Sequence, residues 1–157
     1  MLAANMNGKF EGSELRTLLE HDHDRLEGMY ERVLAAVRAD AKEEVIRLWS
    51  QFEVRLLRHM DVEEELILPA LSDQDPPEVE ALLAEHVTIR RGLAELGVAI
   101  DLHSTRAEVV EQFLALLRRH AAREDALAYR WAEANLSAET TGEVHARLVN
   151  RPRRLRS

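Results

Sequence analysis

The chain contains no cysteine. Disulfides, thiolate zinc sites, iron–sulfur clusters and cysteine nucleophiles are therefore excluded, and any metal has to be held by histidine and carboxylate, a donor set that suits iron, manganese or zinc. Glycine and proline are scarce, 6 and 4 among 157 residues, and aromatic residues make up only 4%. Combined with 46% apolar and 32% charged residues, that scarcity describes one folded helical domain rather than a disordered chain. Long apolar runs are missing too: none approaches the ~20 residues of a membrane span. Met1 to Gly12 lack the basic start and apolar core of a signal peptide, so a cytoplasmic, non-membrane protein is expected. Positive charge is in deficit, with a formal net charge of −8, so nucleic acid is not expected as a partner.

What is present is helical periodicity. Apolar residues recur every three or four positions in four stretches. The first, 14–38, carries Leu15, Leu18, Leu19, Leu26, Met29, Tyr30, Val33 and Val37. The second, 41–71, carries Val45, Trp49, Phe52 and Leu56, and its rhythm continues through His59 and Glu63 to Leu66. The third, 78–102, carries Val79, Leu82, His86, Ile89, Leu93, Leu96 and Ile100, with Pro77 placed to start it. The fourth, 106–135, carries Val110, Phe113, Leu117, His120, Glu124, Leu127 and Trp131, with Ser104 and Thr105 available as caps. Short connections between four such stretches imply an all-α fold, an antiparallel up-down-up-down four-helix bundle. Residues 1–13 read as a flexible leader, 14–135 as the bundle, and 136–157 as a short helix, about 138–149, followed by a basic, Pro-interrupted tail that reads as unstructured.

Each stripe is interrupted by histidine where an apolar residue belongs, at His23, His59, His86 and His120, and twice a glutamate follows four residues on, at Glu63 and Glu124. Burying an unpaired carboxylate is costly, so something has to compensate. For one His–Glu pair a plain hydrogen bond would serve as well as a metal. Counting from each turn, however, adjacent helices place their histidines at heights that differ by only two or three residues, about 3–5 Å at 1.5 Å per residue. Four histidines in one layer, two with a carboxylate one turn on, point to a metal. Six nitrogen and oxygen donors exceed what a tetrahedral zinc needs and suit two iron or manganese ions bridged by carboxylates. Asp125, five residues after His120, is the second choice on the fourth helix, and Glu27, one turn beyond His23, is a further candidate ligand. His21, about 200° round the helix from His23's face, His103 and His145 read as surface residues.

Asp22-His23-Asp24-Arg25-Leu26, His59-xxx-Glu63-Glu64 with Leu68-Pro69-Ala70, Glu85-His86-xxx-Arg90 and His120-xxx-Glu124 together resemble the hemerythrin family, specifically its bacterial hemerythrin-like HHE cation-binding domains. The stretches fall in the family order and span nearly all of 14–135. The resemblance implies an oxo- or hydroxo-bridged di-iron centre in a four-helix bundle, with His23, His59, His86 and His120 as ligands and Glu63 and Glu124 bridging; manganese or zinc is possible in the purified protein. Oxygen-carrying members have a second histidine one turn after the third-helix ligand, where this chain has Arg90, and an aspartate five after the last histidine, where it offers both Glu124 and Asp125. Fewer imidazoles and a neighbouring cation argue against reversible oxygen carriage. Arg90 would pair with Glu63 or Glu124, or hold a bound peroxide or other anion. The expected function is binding or sensing of a diatomic ligand, oxygen or nitric oxide. The alternatives are a di-iron oxidoreductase acting on peroxide or nitric oxide, and an iron-buffering or regulatory protein.

Overall fold

Five helices occupy residues 12–149, the part of the chain that the computed structural model describes. They are α1 (Gly12–Arg38), α2 (42–71), α3 (Pro76–Asp101), α4 (107–135) and α5 (Ala138–Val149). Residues 1–11 of the expected leader and the expected basic tail from 150 lie outside the described residues, while Gly12 and Ser13, also expected in the leader, open α1. No described helix is long and apolar enough to cross a membrane. α1 packs against α2 and α4, and α3 packs against the same two, so the four long helices stand round a square in chain order. α5 lies across α1 and α2, burying Thr141, Val144 and Leu148.

The turns follow from local chemistry. α1 ends in a Schellman arrangement in which Asp40 N–H bonds Val37 O and Ala41 N–H bonds Ala36 O. The α3–α4 turn repeats it, with His103 N–H on Ile100 O and Ser104 N–H on Ala99 O. Both turns put a non-glycine residue in the left-handed region, Asp40 and His103, each at φ 52. Asp75 caps α3 by accepting from Glu78 N–H, so the helix begins at Pro76, one residue before the expected Pro77. Ser104 and Thr105 do not cap α4. Its N-cap is Arg106, with no side-chain cap, and the Ser104 hydroxyl turns back to Ala99 O.

Two hydrophobic cores fill the bundle, one on each side of the histidine layer. One holds an aromatic group, Tyr30, Trp49, Phe52 and Phe113, with Tyr30 centred 5.0 Å from Phe52 and 5.6 Å from Phe113. The Tyr30 hydroxyl donates to Val110 O at 2.7 Å, so this ring is anchored as well as packed. The other core, towards α5, contains Leu15, Leu19, Ile67, Leu71, Leu82, Ala132 and Val144.

Both α2 and α4 change winding where the layer lies. Glu63–Ile67 and Glu124–Ala128 are single π-helical turns, closed by Leu68 N–H on Glu63 O and Tyr129 N–H on Glu124 O. Each bond spans five residues rather than four, so one extra residue enters the turn and everything beyond it rotates by about 100° relative to an unbroken α-helix. The apolar stripes therefore slip by one position. On α2 the residue turned inward is Ile67, 1% exposed, while the expected Leu66 is only half-buried. On α4 the expected Leu127 is 37% exposed and Trp131 is half-buried, while Ala128, Tyr129 and Ala132 face the core.

Candidate metal centre

Between the two cores the structure brings His23, His59, Glu63, His86, His120 and Glu124 together. They form two overlapping groups of four, His23, His59, Glu63 and Glu124 in one and Glu63, His86, His120 and Glu124 in the other, with the donor atoms of each group within 4.8 Å of one another. Glu63 and Glu124 belong to both. One Glu63 oxygen lies 2.5 Å from His59 Nε2 and the other 3.1 Å from His86 Nε2. Glu124 Oε1 lies 3.2 Å from His23 Nε2 and 3.0 Å from His120 Nε2, with Oε2 3.9 Å from His86 Nε2. Each carboxylate thus touches a histidine of both halves.

All four imidazoles aim Nε2 inward and Nδ1 outward at a second carboxylate. His59 Nδ1 meets Asp22 at 2.7 Å, His120 Nδ1 meets Glu85 at 2.8 Å, and His23 Nδ1 meets Asp125 at 3.2 Å. His86 Nδ1 lies 3.3 Å from Glu64 Oε1 without hydrogen-bond alignment. Three of these outer carboxylates are in turn held by arginine: Asp22 by Arg55, Glu85 by Arg123, and Glu64 by Arg90. An imidazole that donates Nδ1–H outward keeps its Nε2 lone pair for the centre, the arrangement that orients histidine ligands of a metal. Lone pairs on nitrogen and oxygen then converge; His86 and His120 Nε2 are only 3.1 Å apart. Such convergence is repulsive unless positive charge sits among the donors.

The titration behaviour says the same in terms of protons. Burial, the largest single influence on His59, favours its neutral form, yet Glu63 and Asp22 together hold its pKa well above the ordinary value. His120 is likewise opposed by burial and is pushed up to about 9, with Glu124 the foremost cause. His23 rises in the same way through Asp125 and Glu124. Burial works against ionisation of Glu63, but His59 and the other partners keep its carboxyl well below the usual range. The donors fit a cationic group: the layer is built to hold positive charge.

Other expected site residues sit elsewhere. Arg90 pairs with Glu64, at 2.6 Å, and with Asp61, not with Glu63 or Glu124. It reaches the layer only through Glu64. Glu27 is bound to Arg118 and belongs to neither donor group. Asp125 sits behind His23. His21 and His103 are exposed, and His145 is half-buried beneath α1. A cavity of about 200 Å³ runs beside the layer, reaching His23, His59, His120 and Glu124 past apolar Leu26, Met60 and Leu117, with Glu27 and Arg118 also in its wall.

The residue that periodicity missed is Tyr129. It is fully buried, and its hydroxyl donates to Glu63 Oε1 at 2.6 Å while lying 2.8 Å from His23 Nε2 and 3.0 Å from His59 Nε2. An unbroken 3.6-residue repeat places Leu127 or Ala128 there; only the π-turn brings residue 129 round. Nothing in α4 announces that turn, whereas α2 carries a signal in Pro69, which has no N–H to give to an α-helical ladder.

The hemerythrin HHE cation-binding domain family matches residues 15–145, from the first turn of α1 into α5. No curated protein and no solved structure matches the chain significantly. A match over most of the chain, and a histidine–glutamate layer at its centre, establish that this protein belongs to the hemerythrin HHE cation-binding domain family.

Proposed function

We propose that the layer holds two iron ions and that the protein uses them to bind or sense a small diatomic ligand, oxygen or nitric oxide. The observation that carries this reading is the sharing of Glu63 and Glu124 between two four-donor groups. His23 and His59 would serve one ion, His86 and His120 the other, with the two glutamates bridging. Such a pair supplies redox-active metal with room for an added ligand. The protein's own residues do the rest. Asp22, Glu85 and Asp125 fix the imidazole tautomers of His59, His120 and His23, and Glu64 stands 3.3 Å from His86 Nδ1 on the same outer side. The two cores keep bulk water from both ends, and the cavity gives a small molecule a lateral way to His23, His59 and His120.

Arg90 does not support an arginine-assisted peroxide reaction, because its guanidinium is committed to Glu64 and Asp61 and lines no part of the cavity. The test is to load the protein anaerobically with ferrous ion and follow the visible spectrum on adding oxygen or nitric oxide. A stoichiometric change per iron pair is expected. Sustained consumption of peroxide or nitric oxide with turnover would instead make the protein an oxidoreductase.

A further inference from the structure

We infer that the Tyr129 phenol oxygen is itself a ligand to the ion held by His23 and His59, making the two metals chemically unlike. The inference rests on the di-iron reading above. Its basis is spacing. Two donor atoms each ~2.1 Å from one octahedral ion stand ~3 Å apart. The Tyr129 oxygen lies 2.6, 2.8 and 3.0 Å from Glu63 Oε1, His23 Nε2 and His59 Nε2, so it keeps ligand-to-ligand distance from three donors at once. No comparable phenol faces His86 and His120.

Three further features hold the oxygen there. The π-turn at Glu124–Ala128 rotates residue 129 into the layer directly behind a bridging carboxylate, and Tyr129 N–H closes that turn on Glu124 O. The ring stacks on His23, with centroids 4.9 Å apart and planes 25° from parallel, so its position is set by a neighbouring donor. Finally, the side chain is fully buried, and its hydroxyl spends its one proton on Glu63 Oε1 while its oxygen faces the Nε2 atoms of His23 and His59, so every polar neighbour of the phenol is a donor atom of the layer. Coordination exchanges the phenolic O–H bond for an oxygen–metal bond, and the proton leaves to solvent.

The chain offers a clean test because it has only two tyrosines. The other, Tyr30, donates to Val110 O inside the aromatic core and belongs to neither donor group. Wild type, Tyr129→Phe and Tyr30→Phe would be loaded with ferrous ammonium sulfate, oxidised in air, and examined for iron per chain, visible absorption and resonance Raman scattering. Wild type and Tyr30→Phe are expected to show a phenolate-to-ferric charge-transfer band with enhanced tyrosine ring modes. Tyr129→Phe should lose both and bind its first iron about tenfold or more weakly. If Tyr129→Phe fails to fold, the band in Tyr30→Phe still assigns the phenolate by elimination. Iron-loaded wild type without phenolate modes, or Tyr129→Phe with unchanged spectrum and affinity, would overturn the inference while leaving the di-iron reading intact. Wild type that takes up no iron would overturn that reading instead.

Discussion

The two halves of the centre share both glutamates and count two histidines each, yet their surroundings differ. The His23–His59 half has a buried phenol at its heart, and its strongest outer contact, Asp22, is itself buried and bound to Arg55. The His86–His120 half has no phenol, its two imidazole nitrogens face each other at 3.1 Å, and its outer carboxylates are held by the more exposed Arg90 and Arg123. Equal donor counts therefore do not give equal sites. His59 is fixed from within the core, His86 and His120 from nearer the surface, and substitutions should report that.

The largest effect belongs to the residues that make the halves one. Glu63→Gln or Glu124→Gln should remove both metals together, because each carboxylate contacts a histidine on either side. His86→Ala should remove only the second, leaving about one ion per chain and a melting temperature between those of the loaded and metal-free proteins. Metal analysis alongside thermal melts checks both. If Glu63→Gln keeps one ion as firmly as His86→Ala does, the glutamate is not shared.

Next in size is the contrast between the outer partners. Asp22→Asn breaks the buried link that fixes His59 and should weaken the first site about 10–100-fold. Arg90→Ala removes a one-third-exposed guanidinium from Glu64 and Asp61, and solvent screening limits its cost to ~1 kcal/mol or less. Its effect on metal content should be small by comparison. Competition titrations against a chelator separate the two, and an Arg90→Ala defect as deep as that of Asp22→Asn would erase the difference between buried and exposed partners.

Protonation offers a third probe. His23, His59 and His120 have raised pKa values, so in the metal-free protein they contribute stability that is fully present below about 6.5 and lost as pH climbs through the folded values, about 9 for His120. Metal competes for the same nitrogens, and apparent affinity should therefore rise with pH across that window, with proton release. Metal-free stability should fall over the same range. Parallel calorimetry of the two forms would show their stabilities diverging with pH. The smallest effect lies away from the centre: Asp40→Gly and His103→Gly relieve left-handed backbone at the α1–α2 and α3–α4 turns and should each stabilise by ~1 kcal/mol or less without touching metal content.

Most of this architecture is legible in the sequence, for a physical reason. Burial against a bundle core enforces a 3.6-residue repeat, so histidines and glutamates that keep the beat at 23, 59, 63, 86, 120 and 124 can be placed before any coordinates exist. The reading of α3 runs from Val79 to Ile100 with every expected position buried. It breaks on α2 and α4 just past Glu63 and Glu124, because a π-turn costs one residue of phase and leaves almost no mark in composition. That single slip exchanged Leu66 for Ile67 and Leu127 for Ala128, and hid Tyr129. The outer carboxylates were hidden for a different reason. Glu64 and Glu85 lie off the apolar stripes, and only the packing of neighbouring helices turns them onto the backs of the histidines, whereas Asp22 keeps the spacing between Leu19 and Leu26 as well as His23 does and is buried, with nothing in the spacing to say that it meets His59.

The central claim is that one layer of side chains holds two metal ions through shared carboxylates. It is tested most directly by counting iron in anaerobically loaded protein while recording the magnetic coupling between the ions by Mössbauer spectroscopy. About two irons per chain, coupled to each other, is the predicted result. A single zinc with no iron, or two irons that behave independently, would contradict it.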